Sequence, residues 1–392
     1  MLPPVIKIIA LASFAAALSQ RALDPVLPHV ADDMLVTVAV AAGLSSALAF
    51  TFASVQPVLG AAADIFGKAR LMIVCLVLLG VASILGALAT NYSLLLATRV
   101  LAGIGAGGVF PVTLGLTSDL VGPEKRQIAI SRVLAGAMTG NLLGASASGV
   151  IGDFLGWRGV LAILGSLAII ASVAVWWGFR GAAINKPAGT VNIRVLAKGY
   201  RTIFSNPNTL VVYAAVFVEG CFILGLFPYV ASFLFEQGIT SLTIAGLVLG
   251  SFAFGGLFYT GTISRMLPRL GINGMMIWGG VVAAVQLSIV AFGPPWQAQA
   301  LALLFMGWGF YMLHGSLQIF SSELSQEARA SAMSLHACCF FMGQTVGPIA
   351  YGFGIGHLGK MPTLLIAAAV VFMLGFAAAK FLQSTKPADA NS

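Results

Sequence analysis

The chain has 392 residues, 59% of them hydrophobic and only 8% charged, with a formal charge of +8. A soluble globular domain carries about 25% charged residues, so this composition excludes a water-soluble fold. The positive excess reads as a signal of membrane topology rather than of nucleic-acid binding.

A helix that spans a bilayer needs about 20 mostly apolar residues, and such runs recur to the end of the chain. In the first half they are predicted over 5–30, 37–60, 71–90, 93–118, 128–151 and 157–180. In the second half they fall over 208–234, 240–264, 273–293, 296–320, 328–355 and 361–383. The fold class is therefore an all-α polytopic membrane protein with twelve transmembrane helices in two sets of six. The first run resembles a secretory signal peptide, with Lys7 before it and small residues near Ala15–Leu18. It continues through Val26, however, and its removal would leave an odd number of helices. Cys75, Cys221, Cys338 and Cys339 all lie inside apolar runs without metal or redox spacing. They read as small buried hydrophobes, and neither a metal nor a cofactor is expected.

Lys and Arg divide unequally between the two sets of loops. Lys7, Lys68, Arg70, Lys125, Arg126, Arg180, Lys186, Arg265, Arg269, Arg329 and Lys380 fall on one side, while the other holds Arg158 and Lys360 with Asp32, Asp33, Asp153 and Glu236. Positive residues stay cytoplasmic, so both termini are expected inside. Residues 181–207 divide a bundle over 1–180 from one over 208–392. Within this linker Ile193, Leu196, Tyr200 and Ile203 recur at helical spacing opposite Arg194, Lys198 and Arg201. The pattern predicts a short helix on the membrane surface. At an offset of 203, Pro25 falls on Pro228, Arg126 on Arg329, Gly140 on Gly343, Gly144 on Gly347 and Gly149 on Gly352. Two halves of like orientation are parallel repeats, an arrangement of transporters that rock about a central site.

Between the second and third runs lies Gly60-Ala-Ala-Ala-Asp64-Ile-Phe-Gly67-Lys68-Ala-Arg70, an acid and two bases in a greasy chain. The stretch resembles the signature loop of the major facilitator superfamily. Further motifs carry the same resemblance along the chain. Arg99-Val-Leu-Ala-Gly103 resembles the arginine motif of helix four, and Gly136, Gly140, Gly144 and Gly149 resemble the glycine motif of the drug/proton antiporter branch. Gly156-Trp157-Arg158 is typical of that branch as well. Two departures stand out: Asn141 replaces the proline that usually follows the central glycine, and Arg265 occupies the second-half position equivalent to Asp64. The resemblance implies that Gly60, Asp64, Gly67, Lys68, Arg70 and Arg126 form a cytoplasmic latch between the halves. Gly140 and Gly144 are expected to allow close helix contact between the halves.

Ionisable side chains within membrane helices are costly and mark function. Here they are Arg21, Asp24, Arg99 and Glu219, on helices one, four and seven, which the family places around its cavity. Glu219, Asp24, Arg99 and Arg21 are the proton-coupling candidates. His314, Gln318, Phe217, Phe222 and Asn141 are candidates for lining the cavity, with Phe110, Phe227, Tyr229 and Trp308 further aromatic possibilities. No Walker loop, nucleophile elbow or metal motif is present, so an enzyme is not expected. The leading expectation is proton-coupled efflux of small amphipathic molecules across a bacterial inner membrane by a monomer, its partners being substrate, protons and lipid. A facilitator or symporter for a small polar metabolite is the alternative, and a non-transporting receptor or scaffold fits least.

Overall fold

The computed structural model describes residues 3, 5–180, 193–325 and 328–382. The first part of the linker, 181–192, lies outside the described residues. Among the described residues, ten apolar helical runs are long enough to cross a bilayer. Two of them, Pro123–Gly178 and Leu242–Ala291, are each broken by a glycine with positive φ, Gly156 (66°) and Gly271 (65°). Only glycine adopts that conformation without strain, so each long run reverses there and makes two crossings.

The twelve crossings are α1 (Val5–Asp33), α2 (Val38–Phe66), α3 (Lys68–Ala87), α4 (Tyr92–Leu120), α5 (123–155) and α6 (157–178). The second set is α7 (Thr209–Glu236), α8 (242–270), α9 (272–291), α10 (Trp296–Glu323), α11 (Arg329–Leu358) and α12 (Lys360–Phe381). A bilayer leaves backbone groups no water to bond, so helices are the natural spanning element. Several start on side-chain caps: Thr37 accepts from Val40 N at 3.3 Å, Asn91 from Leu94 N at 2.9 Å and Ser241 from Ile244 N at 3.4 Å. The expected loop between α2 and α3 is shorter than its charges suggested. Helix continues to Phe66, and the turn is made at Gly67 alone, with φ 89°. An amphipathic helix, Ile193–Phe204, precedes α7 and buries Ile203. Asn206 just beyond it donates to the Leu324 carbonyl at 3.2 Å.

Two crossings are irregular in matching places. α1 passes through short 3-10 segments at Ser19–Arg21 and Asp24–Val26, and α7 through one at Leu224–Leu226. Pro25 and Pro228 lie at these breaks, each in the first turn of the helical segment that follows, where proline's missing amide hydrogen costs nothing. The repeat also persists in three dimensions. A side chain added at Gly140 would strike the Phe14 carbonyl, and one at Gly343 would strike Phe217, which is Phe14 displaced by the same 203 positions. Gly149 meets Leu242 and Gly352 meets Ala39, again the same pair of positions with the halves exchanged.

The two halves meet along α5 with α8 and along α2 with α11. The start of α1 and the end of α12 lie on one face, here the terminal face, and the other is the distal face. Toward the distal face, Ser146 bonds the Gly246 carbonyl at 3.2 Å, and His29 packs edge-on against Phe235 at 5.5 Å. Asp153 there accepts hydrogen bonds from Ser241 Oγ at 3.0 Å and from the Leu242 and Thr243 amides at 2.8 Å each. The apolar core follows the same division. One cluster draws on both halves distally, including Val30, Phe227 and Leu242. A second, around Met72, Leu76 and Val112, belongs to the first half, and a third, around Val216, Met276 and Leu317, belongs to the second. A shared distal core thus joins the halves, while the terminal-side cores are separate.

Candidate substrate cavity

The central cavity consists of two adjoining chambers that share Gln20, Asn141, His314, Phe340 and Phe341. The distal chamber, of about 170 Å³, reaches Arg21, Phe227, Tyr311 and Gln344. The terminal-side chamber, of about 240 Å³, adds Phe52, Gln56, Phe110, Gln318 and His336. Asn141 and Gln344 are repeat equivalents, separated by 203 positions, and contribute one amide from each half.

The break in α1 places Arg21 and Asp24 at the distal end of this space. Asp24, 1% exposed, accepts from Ser45 Oγ at 2.8 Å and from Arg21 Nη1 at 3.3 Å. Arg21 also donates to Gln344 Oε1 at 2.5 Å and lies 4.9 Å above the Phe227 ring, so it ties α1 to α7 and α11. Irregular backbone within a membrane is tolerated where it lines a cavity, as this segment does.

Glu219 is fully buried in the last regular turn before the break in α7. One carboxyl oxygen pairs closely with Nδ1 of His314, and the other has no partner among the described residues. His314 stands between this carboxyl and both chambers. Its Nε2 faces the Gln318 amide at 3.2 Å, and its ring stacks on Phe310 at 4.9 Å. In the tautomer whose Nε2 accepts from the Gln318 nitrogen, the imidazole proton is on Nδ1 and is directed at Glu219. A continuous path thus runs from the cavity through an imidazole to a buried carboxyl. His336 is 5.0 Å from the His314 ring, with its Nδ1 2.7 Å from Ser321 Oγ.

The remaining expected residues are distributed differently. Arg99 is 2% exposed but points into the first half, where Nη2 approaches Ser83 Oγ at 3.5 Å and Nε has no described partner. It lines neither chamber. Phe217 lends its carbonyl to the Gly343 contact and is also absent from both walls. Phe222 borders a separate groove of about 110 Å³ between α11 and α12, and its carbonyl accepts from Tyr351 at 2.6 Å. Tyr229 is engaged with the Pro348 carbonyl at 2.7 Å and Trp308 with Thr262 at 3.1 Å. Gln20, Gln56, Gln344 and Phe341 line the cavity although sequence reasoning passed over them. The three glutamines carry a signal in the sequence, since an amide within an apolar run is nearly as conspicuous as a charge.

A family model described as the Major Facilitator Superfamily matches residues 9–326. The chain belongs to the Major Facilitator Superfamily. It is 25% identical over 402 residues to the chloramphenicol resistance protein of Streptomyces lividans, covering 99% of this chain and 100% of the relative. It is 25% identical over 331 residues to the 3-(3-hydroxy-phenyl)propionate transporter of Escherichia coli K12, covering 80% of this chain and 79% of that one. Among solved structures the nucleoside transporter NupG superposes with a TM-score of 0.80 at 16% identity, over 97% of this chain and 100% of NupG. This superfamily member is accordingly a multi-pass membrane transporter and not an enzyme.

Its signature loop is described only in part. Gly60, Asp64 and Arg126 lie outside the described side chains. Lys68 donates to Asp119 at 2.7 Å and so joins the start of α3 to the end of α4, while Arg70 is exposed. The glycine motif behaves differently from expectation. Gly136, Gly140 and Gly144 face Ala10, Phe14 and Leu18 of α1, within their own half. Only Gly149 and Gly152, further toward the distal face, reach Leu242 across the interface. A stripe of small residues identifies a close-packed face, but two helices compete for it and α1 takes the longer share. Gly156-Trp157-Arg158 serves the distal end: Trp157 Nε1 donates to Asp33 at 3.0 Å, Arg158 pairs with the same carboxylate, and Arg158 also reaches the Ala89 carbonyl at 3.2 Å.

Proposed function

We propose that this transporter exports small amphipathic molecules in exchange for protons by alternating access, working as a monomer in a bacterial inner membrane with both termini in the cytoplasm. The observation that carries the reading is the fully buried Glu219 carboxyl, paired through one oxygen with His314 and unpartnered at the other. A carboxyl at membrane depth is retained against a cost of about 2.5–3.5 kcal/mol on insertion scales, and the intervening imidazole links it to the cavity. In this mechanism a proton arriving from the outside is held by the Glu219–His314 pair and released to the cytoplasm once the cavity opens inward. Inward movement of one charge supplies about 2.3 kcal/mol per 100 mV. The Arg21–Asp24 pair, bonded to Gln344 of the opposite half, is a second candidate for sensing the state of the cycle. On this reading Asp64, Lys68, Arg70 and Arg126 form the cytoplasmic latch, and 181–207 joins two bundles that move against each other.

Resistance to chloramphenicol in the Streptomyces lividans relative supports export. A second reading, symport or facilitated passage of a small polar metabolite, is favoured by the amides of Gln20, Gln56, Asn141, Gln318 and Gln344 around the cavity. The relative that carries 3-(3-hydroxy-phenyl)propionate supports it too. Proteoliposomes loaded with a substrate panel, with and without an imposed pH gradient, separate the two. Export driven by an inward proton gradient supports the first, and accumulation alongside protons supports the second.

A further inference from the structure

The terminal-side chamber combines three properties that together define a ligand. First, its wall holds no Asp, Glu, Lys or Arg among the described residues. The charges nearest to it are engaged with partners: Glu219 lies behind His314, and Arg21 is bonded to Asp24 at the distal end. A charged ligand entering here leaves water without gaining a counter-ion. Second, aromatic rings from both halves line it, with Phe52 of α2 and Phe341 of α11 only 4.2 Å apart between ring centres. Third, two nearly buried polar side chains that line the chamber have nitrogens without a partner among the described residues: Nε2 of Gln56, 5% exposed, and Nε2 of His336, 2% exposed. Buried polar groups are nearly always hydrogen-bonded, so each of these nitrogens leaves a bond for a ligand atom to complete once the side chain turns into the chamber.

We infer that the terminal-side chamber, with its charge-free aromatic wall and the unpartnered Nε2 atoms of Gln56 and His336, binds uncharged aromatic molecules bearing a carbonyl or hydroxyl oxygen, in preference to organic cations or carboxylates. The inference rests on the central cavity being the substrate site, as proposed above. Gln56 offers N–H donors to an oxygen acceptor. A ligand hydroxyl satisfies His336 in either tautomer, because it both donates and accepts. Gln56 and His336 belong to opposite halves, so one ligand oxygen-bearing ring bonded to both would hold α2 and α11 together.

The test uses the purified full-length transporter in nanodiscs and isothermal titration, without any pH gradient. Four probes share one ring system: naphthamide, naphthoate, naphthylmethyl-trimethylammonium and methylnaphthalene. Naphthamide is expected to bind roughly tenfold or more tightly than either charged probe, since a lost buried hydrogen bond or an unpaired buried charge has at least that effect. Gln56→Leu is expected to weaken naphthamide about tenfold while methylnaphthalene stays within about twofold, because only the first uses the amide. Gln56→Glu is expected to reverse the preference toward the cation. Equal or tighter binding of the cation by the unaltered protein would overturn the inference, as would an equal effect of Gln56→Leu on naphthamide and methylnaphthalene. Should Gln56→Leu fail to fold, the rank order of the four probes on the unaltered protein decides. Because no gradient enters the measurement, a failure of proton coupling in proteoliposomes leaves this result standing, and a failed rank order leaves coupling untouched.

Discussion

Asp153 closes the distal face from one side only. Its carboxylate caps the start of α8 across the interface, accepting two backbone amides at 2.8 Å each and the Ser241 hydroxyl at 3.0 Å. The repeat-equivalent position, 153 plus 203, is Gly356, which has no side chain to return the contact. Hydrogen bonds to a charged acceptor contribute about 1.5–3 kcal/mol each when buried, but Asp153 is exposed and its charge is screened. Loss of a helix cap costs about 0.5–2 kcal/mol, and we take about 1.4 kcal/mol as the net loss in Asp153→Ala. That is a tenfold shift toward the state opened distally, provided the cap is broken in that state. The assay is the distance distribution between spin labels at Leu35 and Phe292, 92% and 68% exposed on distal loops of opposite halves, with the four native cysteines replaced. The longer-distance population should grow about tenfold in Asp153→Ala, at the α5–α8 seam's expense. An unchanged distribution would refute the idea that this cap holds the distal face shut.

Glu219→Gln keeps the shape of the neutral acid but cannot titrate, so it should exchange substrate across proteoliposomes yet fail to concentrate it; retained pH-driven accumulation would move coupling to Asp24 or dismiss it. Gly144→Leu must displace the Leu18 backbone, 2.8 Å from the added carbon, and should lower the melting temperature by an overpacking cost of about 1–3 kcal/mol. Gly149→Leu wedges the two halves at Leu242 and Gly246 and should instead trap the distal face open, visible with the same labels at Leu35 and Phe292. Asp33→Asn breaks an ion pair whose partners are 43% and 44% exposed, so it should alter stability by no more than about 1 kcal/mol in thermal melts. Asp64→Asn should reduce transport while leaving ligand binding by titration intact, and normal transport rates would sink the latch.

Segment positions were legible because long apolar runs outweigh every other signal in a chain with 8% charge. The breaks in α1 and α7 coincide with Pro25 and Pro228, but proline alone does not specify them, because Pro111, Pro268 and Pro348 lie inside continuous helix. What the sequence does not specify is the neighbour. Periodicity shows that Gly140 and Gly144 share a close-packed face, but not that α1 rather than α8 occupies it. The same limit applies to Arg99, which lies on a crossing expected to line the cavity but turns toward Ser83. Glu219 and His314 are 95 positions apart, and only the packing of α7 against α10 brings them together. Charge does not mark Gln20, Gln56 and Gln344, whose neutral amides line the cavity.

The division of the apolar core has a consequence for how the chain reaches its native state. The buried residues around Met72, Leu76 and Val112 all come from the first half, with Phe341 of the second packed against them, and those around Val216, Met276 and Leu317 all come from the second. Each half therefore has a nucleus of its own before the distal core around Val30, Phe227 and Leu242 is assembled from both. Synthesis from the ribosome delivers the first half to the membrane while the second is still being made, and every buried residue of that first nucleus is then already present. The distal seam then forms as a docking reaction between two preformed bodies. Two separate messages, one ending and one beginning within 181–192, should accordingly yield polypeptides that find each other in the bilayer and restore transport.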